Sequence, residues 1–139
     1  MIDPQPGDLF ILRSWYMNHV AIYFYDGMVY EAWPPKVRAV DWIDFEQRLA
    51  KTRVEVLRNT DLTAQQLFTG RREARKWLGT PYNWLLNYWL MLEGRVHCWE
   101  YTPLIQIAML GPIYGDRELS RVTPRIGKQT SLENGWTAL

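Results

Sequence analysis

The chain has 139 residues, the usual length of one domain, and nothing in it reads as a linker between two. Hydrophobic residues make up 47% and charged residues 22%, which excludes a disordered or collagen-like chain, and the net charge of +1 gives no reason to expect nucleic acid as a partner. One cysteine excludes an internal disulfide and a multi-cysteine zinc site, and two histidines exclude a histidine-rich metal centre. Tryptophan is abundant, with eight residues beside eight tyrosines. Most of these aromatics read as core, and the remainder as a groove for an apolar or sugar-containing ligand.

Met1 to Gly7 holds Asp3, Pro4 and Pro6 with no basic cluster before an apolar run, which is not a secretory signal. The most apolar stretch, Trp84 to Leu92, is far short of the roughly 20 residues a helix needs to cross a bilayer. No integral membrane contact is expected, while peripheral lipid contact is compatible with the composition. Action outside the cytoplasm would then require lysis, a secretion system or a virion to carry the protein there.

Gly7-Asp8 opens a strand over Leu9 to Leu12. Asn18 to Tyr25 and Met28 to Ala32 are rich in Val, Ile, Tyr and Phe and flank a turn, the clearest hairpin signal in the chain, which Pro34-Pro35 ends. Asp41 to Leu49 carries Trp42, Phe45 and Leu49 at helical spacing, and Arg53 to Arg58 alternates as a half-buried strand. A helix fits Ala64 to Leu78, with Thr63 and Gln66 as a capping box and Gly79 as its stop. Further helical stretches fit Asn83 to Leu92 and Cys98 to Leu110, the latter ending at Gly111-Pro112. The remainder lacks strong periodicity, and residues 125–139 read as a peripheral tail of a domain spanning 1–139. Strands precede helices, which predicts an α+β fold with an antiparallel sheet packed against helices.

Cys98 is the one nucleophilic thiol, and His19 and His97 are its two candidate bases. Neighbouring side chains on a helix diverge, which places His97 poorly and favours His19 on the hairpin. Glu31 on the return strand is the natural group to orient His19, subject to register. A two-residue Asp26-Gly27 turn would set Ile22 opposite Glu31 and turn His19 to the other face. A three-residue Tyr25-Asp26-Gly27 loop sets Ala21 opposite Glu31, with His19 its diagonal neighbour on the same face, and this register is the one predicted. At a helix N-terminus the thiolate would gain from unpaired N–H groups and the dipole. Pro103 leaves the helix start open between Cys98 and a position near Pro103 itself, with Thr102 as cap.

Gly7-Asp8-Leu9, His19-Val20-Ala21-Ile22-Tyr23, Asp26-Gly27 and Val29-Tyr30-Glu31-Ala32, in that order, are followed by Gly79-Thr80-Pro81-Tyr82-Asn83, His97-Cys98-Trp99-Glu100 and Val122-Thr123-Pro124. This ordered set resembles the NlpC-type papain-like cysteine peptidases in circularly permuted form, with the histidine hairpin before the cysteine helix, as in the YiiX-like branch. The resemblance covers residue 7 to about residue 124. It implies a papain-like α+β fold, Cys98 as nucleophile, His19 as base and Glu31 as the orienting residue. Tyr82, Trp99 and Tyr23 are weaker candidates for substrate or oxyanion contacts. Trp99 stands where a small Ser or Thr is usual, and Asn83 where Asp is common. The implied activity is thiol hydrolysis of an amide, which needs neither metal nor organic cofactor, with bacterial peptidoglycan peptides as first choice of substrate. A lipid-directed hydrolase or acyltransferase is the alternative, supported by the apolar patch at Trp84, Tyr88 and Trp89, since the permuted group also resembles lecithin–retinol acyltransferases. A third reading is a non-catalytic binding or structural module, for instance in a phage particle.

Overall fold

A computed structural model describes residues 2–13, 18–82 and 97–139. The helix expected over Asn83 to Leu92, and the aromatic patch within it, lie outside the described residues. Strands β1 (Leu9–Arg13), β2 (Asn18–Tyr23), β3 (Met28–Trp33) and β4 (Lys36–Asp41) lead into helix α1 (Trp42–Leu49). Strand β5 (Arg53–Arg58) and helices α2 (Ala64–Lys76), α3 (Cys98–Leu110) and α4 (Pro124–Glu133) follow, and β6 (Thr137–Ala138) closes the chain. The six strands form one sheet in the order β4-β3-β2-β1-β5-β6, antiparallel throughout. The expected α+β class and antiparallel sheet are the ones observed.

Both faces of the sheet are covered, and successive residues of each strand serve opposite faces. Leu9, Ile11, Val20, Ile22, Tyr30 and Leu57 pack with Ala74 of α2 and with Trp99, Tyr101 and Ile105 of α3. Phe10, Leu12, Ala21, Val29 and Val56 pack instead with Phe45 and Leu49 of α1. Central strands buried on both sides explain why Leu9 to Leu12 reads as a continuous apolar run rather than an alternating one.

The β2–β3 turn is the three-residue loop. Tyr23 pairs with Val29 and Ile22 with Tyr30, the register of a three-residue loop, in which Ala21 would stand opposite Glu31 although the ladder ends one pair before it. Gly27 takes the left-handed conformation at φ 78°, which glycine adopts without a steric penalty. Asp26 holds the loop: one carboxylate oxygen accepts the Met28 N–H at 3.1 Å, the other the Tyr30 hydroxyl at 2.7 Å and Arg71 Nε at 2.8 Å. Arg71 thereby ties α2 to the hairpin.

α2 starts as its sequence predicts. The Thr63 hydroxyl accepts the Gln66 N–H at 3.1 Å, and the Gln66 side chain accepts the Thr63 N–H at 2.9 Å. α3 begins at Cys98, not near Pro103, although Pro103 removes one hydrogen bond from its interior. Burial on several sides offsets that loss, because Trp99, Tyr101, Thr102, Ile105 and Gln106 of the same helix are all enclosed.

Three elements differ from the sequence expectation. Pro34-Pro35 ends β3 as expected but leads straight into β4, an edge strand that the sequence reading lacked. Residues 125–139 are not a peripheral tail. Thr123 caps α4 by accepting the Ile126 N–H at 3.2 Å, with Pro124 in the first turn. The residues that α4 buries are Gly127 and Ser131, so its inward face has no hydrophobic period to read. Beyond it Trp136 is fully buried and donates from Nε1 to the Gly7 carbonyl at 3.0 Å, while β6 pairs with β5. Replacing Trp136 by Ala should cost about 3–5 kcal/mol of unfolding free energy, read by urea denaturation, whereas a peripheral residue would cost under about 0.5 kcal/mol.

Candidate active site

The site forms where strand pairing gives way. β1 and β2 are paired from Leu9↔Ile22 to Arg13↔Asn18, whereas β2 and β3 pair only at Ile22↔Tyr30 and Tyr23↔Val29, beside their turn. The amides and carbonyls of Asn18 and Val20 on the β3 side are therefore free for another partner. The N-terminus of α3 supplies it. Cys98 Sγ lies 3.8 Å from the Asn18 carbonyl oxygen and also meets the Val20 N–H.

His19 and Glu31 share the sheet face that carries Ala21 and Val29, the face covered by α1. His19 Nε2 lies 2.8 Å from Glu31 Oε1, with both side chains almost completely buried. The diagonal reach expected from the register is thus bridged. The second partner of Glu31 is Arg48, which reaches from α1 to both carboxylate oxygens at 2.6 and 3.0 Å. Arg38, directly opposite Glu31 on β4, adds a third contact at 2.9 Å. Trp33 backs the cluster, its ring 4.9 Å from that of His19 and 4.3 Å from the Arg48 guanidinium carbon.

Burial alone would push the Glu31 carboxyl up, but His19 and Arg48 outweigh it and hold its pKa at about 2. A carboxylate so held only accepts hydrogen bonds, which assigns the proton on His19 Nε2. The basic nitrogen is then Nδ1, a buried atom with no hydrogen-bond partner among the described residues. Burial also opposes charge on this ring, yet contact with Cys98 and Glu31 raises its pKa to about 9. For Cys98, burial favours the neutral thiol, while His19, His97 and the Val20 N–H outweigh that and lower its pKa to about 6. Near neutral pH the pair is a thiolate and an imidazolium.

His97 lies just outside the helix that the sequence reading placed it on. It is the N-cap of α3, with extended backbone angles, and is buried. The rule that adjacent helical side chains diverge therefore does not apply to it. Its Nε2 donates to the Ser120 carbonyl at 2.8 Å, leaving Nδ1 as the nitrogen able to meet Cys98, and contact with the thiol helps to raise its pKa. The Glu100 carboxylate accepts the His97 N–H at 3.4 Å.

The weaker candidates divide. Tyr82 is buried in the same cluster as Cys98 and Trp99. Trp99 does not narrow the site in the way its size suggests, because its ring points into the core over Gly127 of α4, where an added Cβ would come within 2.1 Å. Tyr23 is removed from the thiol: it stands four residues along β2 from His19, about 13 Å, and packs edge-on against Trp42 of α1 at 5.7 Å. Arg38, Arg48 and Trp33 went unrecognised from the sequence. A β3–β4 hairpin around Pro34-Pro35 would have revealed Arg38, since cross-strand opposite charges are a recurrent pair.

Glu31→Gln should release His19 from its anchor, so that the thiol titrates nearer the ordinary value of about 8.5, read as alkylation rate against pH. An unchanged profile would show that Glu31 serves only Arg38 and Arg48.

Among solved structures, the chain is similar to that of metalloprotein YiiX from Escherichia coli O157:H7 (DUF1105), with a TM-score of 0.66 and 18% sequence identity. The match covers 98% of this chain and 96% of that one. No protein-family model matches the chain, and no curated protein matches it in sequence. With the order of strands and helices already described, the likeness shows a YiiX-like fold.

Proposed function

We infer that the chain is a cysteine hydrolase in which Cys98 attacks an amide carbonyl with His19 as its base. The observation that carries this reading is the order Glu31–His19–Cys98. A buried carboxylate fixes the imidazole through Nε2, and the basic Nδ1 is left for the one thiol of the chain. A histidine with merely structural duties would have both nitrogens paired.

With the Cys98 proton already held on His19 Nδ1, the thiolate adds to the carbonyl carbon. The N–H groups of Cys98 and Trp99, in the first turn of α3, have no acceptor within the helix and can donate to the oxyanion that forms. Collapse expels the amine, which takes the proton back from His19, and leaves a thioester on Cys98. His19 then removes a proton from water as it attacks the thioester, and the acid departs as the thiolate is restored. Glu31 keeps the tautomer and stabilises the imidazolium at both stages.

The NlpC-type resemblance supports a peptidoglycan peptide amide as the substrate. The Escherichia coli protein of similar structure is described as a metalloprotein. In this chain no group of three or more His, Cys, Asp or Glu among the described residues is arranged to hold a metal ion, and the two histidines beside the thiol already commit Nε2 to Glu31 and to the Ser120 carbonyl.

Release of peptides from purified cell-wall sacculi tests the reading. Cys98→Ala should abolish it, and His19→Ala should lower it by about 10²–10⁴-fold. A Cys98→Ala protein as active as the wild type would overturn the assignment in favour of a non-catalytic module. The pH dependence has a definite sign. Activity should fall below about pH 6, as the thiolate of Cys98 gains its proton, and above about pH 9, as the imidazolium of His19 loses its own. A profile rising through pH 8 to 9 would mean an ordinary thiol.

A further inference from the structure

Between α4 and the ends of β1 and β2 lies a groove of about 390 Å³, whose walls include Ile11, Arg13, Asn18, Arg125, Lys128 and Leu132. An adjoining hollow of about 360 Å³ shares Arg13 and Lys128 and adds Arg53 and Glu55. Four cations, Arg13, Arg53, Arg125 and Lys128, thus face one carboxylate, an excess of three positive charges in a chain whose net charge is +1. Glu55 is already engaged, with Arg13 at 2.9 Å and Lys128 at 2.7 Å. Arg53 and Arg125 are exposed and have no ion-pair partner among the described residues.

Two contacts join this groove to the thiol. Asn18 lines it, and the carbonyl of Asn18 is the oxygen 3.8 Å from Cys98 Sγ. On the other side, Trp99, the residue after the nucleophile, is seated on Gly127 of α4, one residue from Lys128. On the strand side an occupant of the groove is therefore one residue, Asn18, from the reacting atom, while on the helix side Gly127 and Trp99 stand between Lys128 and Cys98.

We propose that this groove binds the carboxylates of an acidic peptide and thereby presents that peptide's amide to Cys98. The binding part stands on the groove alone, and the presentation part rests on the hydrolase reading above. Apolar walls at Ile11, Pro124 and Leu132 suit the aliphatic stems of acidic side chains, and Arg125 offers a forked donor for a carboxylate. The four cations line two adjoining hollows around a single carboxylate, which suits the acidic side chains of a short peptide.

The test is a ¹H–¹⁵N NMR titration of the full chain with two probes, acetyl-Glu-Ala-Glu amide and acetyl-Gln-Ala-Gln amide. The acidic peptide should shift the amides of Asn18, Arg125 and Lys128, and its affinity should fall as salt is raised. Arg125→Glu should weaken it about tenfold, with Arg125→Lys, which keeps the charge but loses the fork, falling between that and wild type, and Arg53→Glu changing in the same direction. Arg125 is exposed and outside the core, so the folded spectrum should survive its replacement. Equal binding of the two peptides, shifts confined to another surface, or an Arg125→Glu protein that binds like wild type would overturn the proposal. The same titration in Cys98→Ala separates the two readings. Acidic-peptide binding by a wild type that releases nothing from sacculi upholds the groove and sinks the hydrolase. Cleavage with equal KM for acidic and neutral amides does the reverse.

Discussion

A fully buried carboxylate has to be paired or neutralised, and Glu31 is paired by three residues from three elements: His19 of β2, Arg38 of β4 and Arg48 of α1. Removing one partner of such a group typically costs about 3–5 kcal/mol, because the remaining charge is left uncompensated in a poorly polarisable surrounding. The constraint therefore runs outward from Glu31. α1 must lie where Arg48 can reach through to β3, which the burial of Phe45 and Leu49 against the sheet ensures. β4 must pair in the register that sets Arg38 opposite Glu31. The turn between β2 and β3 must have three residues, because a one-residue slip would carry His19 to the opposite face.

The same pairing that stabilises the fold sets the chemistry. With two arginines beside it, Glu31 stays ionised and accepts the Nε2–H of His19, which leaves Nδ1 open on a ring that Cys98 contacts. The thiol comes from the other side of the sheet, and it can reach the histidine because β3 parts from β2 beyond Ile22 and Tyr30. An uninterrupted ladder would close that gap. The unpaired backbone of Asn18 and Val20 then meets sulfur instead of a neighbouring strand, which answers the requirement that buried peptide groups find a partner. His97 contributes a second imidazole to the same sulfur from the cap position of α3. Loss of His19 alone therefore need not return the thiol to its ordinary titration.

Local chemistry in the sequence was enough to locate β1, the β2–β3 hairpin, α1, β5, α2 and α3 to within a few residues. Each carries a signal that acts over a few positions, such as the Thr63–Gln66 capping box or the glycine that the Tyr25-Asp26-Gly27 loop needs at its end. The candidates Cys98, His19 and Glu31 were legible for the same reason: one thiol and two histidines leave few combinations, and the loop length sets which face His19 shares with Glu31. Tertiary structure alone decided the rest. α4 buries Gly127 and Ser131, which only the Trp99 ring and a hydrogen-bonded interior make suitable for a core. Trp136 and β6 are held by residues some eighty to 130 positions away, Leu57 and Gly7 among them, and no periodicity within a segment can encode such a partner. Arg48 lies 17 residues from Glu31 on a different element, and it becomes the counter-ion of the site only once α1 has docked on the sheet, because charge pairing depends on distance in space and not along the chain.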